Sequence, residues 1–196
     1  HERLASTYTA DEVKKVMDSV DRSSKSGKTM YLIMLLACVY GLRVSDIRGL
    51  QMSSIHWKKL TIDLFQHKTK RHIELPMTEG VRLALLDYLK NARPNVRNPY
   101  VFIKHRGAPD PYSSNDHFAS KVSAYFRRAG VDTGGKHHGL HALRHSLASG
   151  LSGQGVPMHE IAVILGHSTV ASTKSYIWSD IVHLKSAALE VPAYGQ

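Results

Sequence analysis

From Met30 to Tyr40 the chain reads MYLIMLLACVY, a run with no charged residue and apolar side chains at nearly every position. No other segment restricts the fold so strongly. A helix that is apolar all round has no face to give to water, so it must be buried on most sides by other elements. The run is too short to cross a bilayer, which takes about 20 apolar residues. It therefore reads as the central helix of a water-surrounded core. Gly41 follows directly and is placed to end the helix as its C′ residue. Cys38, the sole cysteine, lies within the run. It can form no internal disulfide and reads as a buried thiol of a reducing compartment.

The flanking segments supply the cover. Thr9 and Glu12 have capping-box spacing ahead of VKKVMDSV, which predicts a first helix of about three turns. RVSDIRGL predicts a short helix with Val44, Ile47 and Leu50 inward. KLTIDLFQ and HIELPM have strand character, with Leu60, Ile62 and Leu64 alternating against Thr61, Asp63 and Phe65. HKTK between them is the polar turn of a hairpin. Val81, Ala84, Leu85, Tyr88, Leu89 and Ala92 mark an amphipathic helix, which NARPNVRNP breaks. YVFI fits a short strand or a buried connection. SSNDHFASKVSAYFRRAG predicts a helix capped by Ser113 or Ser114. Further helices are expected at LHALRHSLASGL, at PMHEIAVILG between Pro157 and Gly166, at STVASTKSY and at SDIVHLKSAALE. The pattern is α+β: a mostly helical single domain over residues 1–196 with one small antiparallel hairpin or sheet.

With 26 Lys and Arg against 16 Asp and Glu, the formal charge is +10 before any of the 13 histidines takes a proton. Such a balance suits a polyanion, usually nucleic acid. Several enzyme classes are excluded. HEIAV opens like a zinc-protease helix, but Val163 stands where the second histidine is required. His137, His138, His141 and His145 lack a cysteine or acidic partner, so no metal site and no cofactor are expected. No phosphate loop of the G-x-x-x-x-G-K-[ST] type occurs. With no visible signal peptide, a cytoplasmic protein with no membrane association is expected.

In GLHALRHSLASGLSGQG, Leu140, Leu143, Leu147 and Leu151 form an apolar stripe, with Arg144 at its edge and His141 one turn earlier. A guanidinium against a packed face needs an anion nearby. An internal Asp or Glu would serve, and so would a bound anion.

A scattered set of residues bears on that choice. GLR holds Arg43 just past the buried helix, and HKTKR holds Lys68 on the hairpin turn. LHALRHS offers His141 and Arg144; LGHSTVASTKSY offers His167 and, nine residues on (176 − 167), Tyr176. In this order and at these intervals the motifs resemble the catalytic domain of the tyrosine recombinases, the phage-integrase family, over essentially the whole chain.

The resemblance implies a DNA breaking-and-rejoining fold and metal-independent strand cleavage on double-stranded DNA of the nucleoid. It makes Tyr176 the nucleophile, joined to DNA as a 3′-phosphotyrosine. Arg43 and Arg144 become the clamp on the nonbridging oxygens, a bidentate task suited to planar guanidiniums. His141 becomes the acceptor of the tyrosine proton, or the hydrogen-bonding partner that eases its transfer. His167 would bond the phosphate. Lys68 would protonate the leaving 5′ oxygen, with Lys70 as the competitor two residues away. Asp46 would brace Arg43, His145 would support the fold around the site, and Lys70 and Arg71 would contact DNA.

The resemblance further implies a tetramer on DNA, with the C-terminal helix passed to a neighbouring protomer. It also implies an N-terminal DNA-clamping (core-binding) domain, which is not visible in this chain. The closest alternative is a type IB topoisomerase, which resembles the family in its Arg, Lys, Arg, His and Tyr set. The G-L-R box and the compact spacing from L-G-H to the tyrosine favour the recombinase.

Overall fold

The computed structural model describes residues 7–66, 68, 70–116 and 118–165, with the backbone alone at Arg71. Helix α1 (Ala10–Asp18) begins at the expected capping box. The Thr9 hydroxyl accepts from the Glu12 amide at 3.2 Å, and the Thr9 amide donates to the Glu12 carboxylate at 2.7 Å. Its inward face carries Val13, Val16 and Met17. Helix α2 (Lys25–Tyr40) starts at Ser24, whose hydroxyl accepts from the Gly27 amide. Every residue from Thr29 to Tyr40 is buried, as the all-round apolar run requires. The surrounding layer comes from α1, α3 (Val44–Arg48), α4 (Glu79–Asn91), α5 (Phe118–Arg128) and α6 (Leu140–Gly153), all packed on α2. Helix α7 (Met158–Ile164) packs on α6. One contiguous core runs from Tyr8 to Leu165.

A three-stranded antiparallel sheet covers one side, in the order β1 (Ile55–His56), β2 (Thr61–Gln66), β3 (Arg71–Pro76). Ile62 pairs with Leu75 and Leu64 with Ile73, so the inward faces of β2 and β3 meet in register over the core. The strand β1 is an addition to the expected hairpin. It moves Leu60 out of the strand: Leu60 closes the β1–β2 turn at φ 52° and is 46% exposed, not inward. A left-handed turn residue cannot also continue the strand alternation.

Two other boundaries differ from the sequence reading. Helix α5 starts at Phe118, several residues after Ser113 and Ser114. Ser113 instead closes a turn, donating from its amide (2.6 Å) and hydroxyl (3.0 Å) to the Asp116 carboxylate. Pro157 stands at the N-cap of α7, one position outside the helix. YVFI proves to be a buried connection, with isolated bridges Gln51–Tyr100 and Ile103–Pro111 and with Val101, Phe102 and Ile103 fully enclosed. Gly166 and the two helices expected after it lie outside the described residues. No helix among the described residues is long and apolar enough to cross a membrane.

Candidate active site

The site grows from the end of α2. Gly41 takes φ 62°, the left-handed conformation that stops the helix and turns the chain. Leu42 then drops into the core at 2% exposure, which leaves Arg43 as the N-cap of α3 in extended backbone (φ −75°, ψ 152°). Three residues on, Asp46 is completely buried beneath it. Its carboxylate lies 4.0 Å from Arg43 Nη1, the outer limit of an ion pair. That nitrogen is buried and makes no hydrogen bond to any described residue.

Arg144 reaches the same place from α6. Leu140, Leu143, Leu147 and Leu151 fix the rotation of that helix by facing the core, and Arg144 follows them in at 5% exposure. Among the described residues its anchors include two main-chain carbonyls. Nη1 donates to the Gly41 oxygen, and Nη2 donates to the Leu165 oxygen at 2.7 Å. These residues cap the C-termini of α2 and α7. Helix ends of this polarity carry unpaired carbonyls and partial negative charge, which suits a buried cation. The approach needs Gly41: a Cβ there would stand 2.5 Å from Leu165 Cδ2 and 3.2 Å from Leu147 Cδ2. Burial, and then the neighbouring positive charge of Arg43, push the Arg144 pKa down to about 10 against the opposing pull of Asp46. Sequence reasoning missed both carbonyls. Gly41 was legible only as a helix stop, and nothing in the sequence pointed to Leu165.

His141 lies one turn before Arg144, and His145 one turn after His141; both are exposed on α6, with ring centroids 6.2 Å apart. Partial burial holds the His141 pKa below the usual imidazole value, and the fields of His145, Arg144, Arg43 and Lys68 add to that effect. The β2–β3 loop thus brings Lys68 to the same pole of the molecule, where it is exposed. Lys70, also exposed, closes that loop at φ 54°. Arg71 opens β3 opposite Gln66. Arg43, Asp46, Lys68, His141, Arg144 and His145 are therefore gathered from α2–α3, the sheet and α6. His167 and Tyr176 lie outside the described residues. Among the described residues no three His, Cys, Asp or Glu side chains are grouped to share a metal ion.

Two guanidiniums at one pole, Arg43 beside the Asp46 carboxylate and Arg144 on main-chain carbonyls, together with a lysine and an imidazole, can form a receptor for a tetrahedral oxyanion. The planar donors span nonbridging oxygens, while the imidazole and ammonium can move protons at the bridging ones.

Comparison with known proteins identifies the family. Residues 6–182 match the phage integrase family. A Sinorhizobium fredii protein named integrase/recombinase y4gC is 34% identical over 190 residues, covering 96% of this chain and 97% of its own length. Other curated relatives are longer, and the chain spans 42% of one and 61% of another. Among solved structures, XerA recombinase superposes with a TM-score of 0.70 at 23% identity, covering 99% of this chain and 68% of that one. A lambda integrase dimer bound to a COC′ core site gives 0.58 at 26% identity, with coverage of 86% and 60%. The shared architecture shows the fold. The chain belongs to the phage integrase family, and curated relatives over its length are named integrase/recombinase and tyrosine recombinase.

Proposed function

We propose that this chain cuts and rejoins DNA through a covalent bond from Tyr176, without a metal ion. The tyrosine oxygen attacks the phosphorus, and the bond to the 5′ oxygen breaks. The products are a 3′-phosphotyrosine and a free 5′ hydroxyl. The tyrosine proton passes to His141, and Lys68 gives a proton to the departing oxygen, so the charges balance. Arg43 and Arg144 hold the nonbridging oxygens and stabilise the charge of the pentacoordinate transition state. His167 adds a hydrogen bond to the phosphate, and Lys70 and Arg71 contact the DNA backbone. Rejoining is the same sequence reversed, with the 5′ hydroxyl of another strand as nucleophile.

The observation that carries this reading is the closeness of the two arginines. Arg144 is seated on the carbonyl of Gly41, two residues before Arg43; burial first, and then the like charge of Arg43, lower its pKa, so the pair repels in the free protein. An anion between them turns that repulsion into two attractions, and a phosphodiester supplies it in a protein of charge +10. Exchange between two duplexes calls for four active sites. We read the protein as a tetramer on DNA, each protomer donating its C-terminal segment to the next, acting on the nucleoid in the cytoplasm.

The test is adduct formation on a nicked duplex that traps the cleaved state. The wild-type chain should yield a protein–DNA band that survives denaturing electrophoresis. Tyr176→Phe should abolish the band while leaving DNA binding intact, and Arg144→Ala should reduce it by orders of magnitude. An undiminished band from Tyr176→Phe would assign the nucleophile to another residue.

A further inference from the structure

The loop that carries Lys68 stands at the tip of a two-stranded hairpin, and among the described residues the core grips that hairpin on one face. Ile62, Leu64, Gln66, Ile73 and Leu75 are buried on the inner face. On the outer face the pair next to the loop is Phe65 and His72, directly opposite each other in the ladder. Their rings stack in a tilted arrangement with centroids 5.0 Å apart. The imidazole is flanked on its other side by Asp63, whose carboxylate lies 3.7 Å from His72 Nδ1. Phe65 keeps 37% of its surface exposed, so the ring contact with His72 is made at the protein surface. One residue further, Gln66 faces Arg71 and the loop 67–70 begins.

A surface hairpin end with a four-residue loop frays readily, because its backbone bonds lie open to water. A general acid cannot tolerate that. Proton delivery requires the ammonium within hydrogen-bond reach of one oxygen, and small displacements cost rate steeply. Cross-strand aromatic pairs stabilise the strand ends that carry them.

We propose that the Phe65–His72 pair is a positioning device for Lys68, locking the outer face of the hairpin so that the loop presents the ammonium to the leaving oxygen. This rests on Lys68 being the proton donor. Phe65 and His72 touch neither the phosphate nor the nucleophile. Their effect passes through the lysine alone, so it should vanish when the leaving group no longer needs a proton.

The experiment uses the full chain and a nicked duplex obtained by selecting, from a randomised library, the sequence on which the wild-type chain forms its covalent adduct. Two versions are compared: ordinary DNA and DNA with a 5′-bridging sulfur at the scissile phosphate. On ordinary DNA, Phe65→Ala should slow single-turnover cleavage about 3- to 10-fold, the scale of losing one aromatic cross-strand pair. On the sulfur substrate it should cut at the wild-type rate. His72→Ala should behave alike, the double variant should be no slower than either single one, and His72→Phe should restore the rate by rebuilding a ring pair.

Equal slowing on both substrates, or no slowing on ordinary DNA, overturns the proposal. Lys68→Ala separates the two layers. If sulfur rescues Lys68→Ala but not Phe65→Ala, the pair is not a positioning device. If sulfur fails to rescue Lys68→Ala, or rescues Lys70→Ala in its place, the assignment of the acid to Lys68 is wrong.

Discussion

Arg144 and Gly41 are 103 residues apart in sequence, yet the guanidinium of one donates to the carbonyl of the other. The contact joins the end of the most buried helix to the helix that carries His141. It also explains why Gly41 does more than stop α2. Any side chain there would meet Leu165, the second residue whose carbonyl holds Arg144.

Gly41→Ala is therefore expected to harm both stability and chemistry. The left-handed φ of 62° costs an alanine about 1 kcal/mol, and the new methyl must displace Leu165 and Leu147. A total of roughly 1–3 kcal/mol is expected from denaturant unfolding. Adduct formation under conditions where the variant is folded should fall more than 10-fold, because Arg144 loses its seat. A variant as stable and active as wild type would show that the glycine serves only as a helix stop.

Cleavage should proceed in excess EDTA. The proposed transition-state charge is met by Arg43 and Arg144, and protons are handled by His141 and Lys68, so no step requires a divalent ion. The measurement is the single-turnover rate with EDTA and with added magnesium. A chemical step that stops in EDTA and returns with magnesium would refute the mechanism.

His141 contributes to the acid side of the pH dependence. In the unfolded chain this imidazole takes up a proton near pH 6.5, while in the folded chain it does so only at lower pH. Between those values the unfolded state holds more protons, so His141 contributes a loss of stability as pH falls through about 6.5 that levels off below the folded pKa. His141→Asn should remove that contribution from a pH series of denaturant midpoints. In the free chain its imidazole resonances should titrate below pH 6.5, and bound DNA should raise the midpoint as phosphate offsets the surrounding cations. A midpoint at or above 6.5 in the free chain would contradict the partial burial of His141 and the crowding of positive charge around it.

Local features carried much of the fold. The Thr9–Glu12 box, the enclosed helix through Tyr40 and the alternation of Ile62 and Leu64 were each visible within a few residues, because each depends on neighbours in the chain. What escaped depends on which partner a residue takes, which neither its type nor a period reveals. Leu60 turns outward because β1 pairs with β2, and β1 spans two residues, too few to show a period. Ser113 could cap a helix by type, but Asp116 takes its amide and hydroxyl first. The Pro-rich stretch after α4 is organised by Arg93, whose guanidinium donates to the carbonyls of Asn98 (2.8 Å), Tyr100 (2.9 Å) and Val101 (3.1 Å). For the site, motif order brought Arg43, Lys68, His141 and Arg144 together on paper. The carbonyl seat of Arg144 was hidden because every residue has a carbonyl, and only the fold selects two of them.

The final prediction concerns assembly. After Tyr176 the sequence continues as SDIVHLKSAALE, where Ile181, Leu184, Lys185 and Ala188 fall at helical spacing on one largely apolar face. Donation of this segment around a ring is a head-to-tail contact, and such a contact closes when the rotation between protomers permits. It would link each active tyrosine to the presence of the next subunit. The chain is then expected to sediment as a monomer alone and to form higher-order complexes only on DNA. Deleting Asp180–Gln196 should leave the helical circular-dichroism signal and melting transition of the remaining domain largely in place. It should flatten the concentration dependence of complex formation on DNA and change the cleavage rate. Truncated protein that assembles and cleaves like the intact chain would show that the segment packs on its own domain. A segment donated in trans, by contrast, should restore assembly when a Tyr176→Phe chain that keeps it is mixed with the truncated one, and the recovered adduct should then sit only on the truncated subunits.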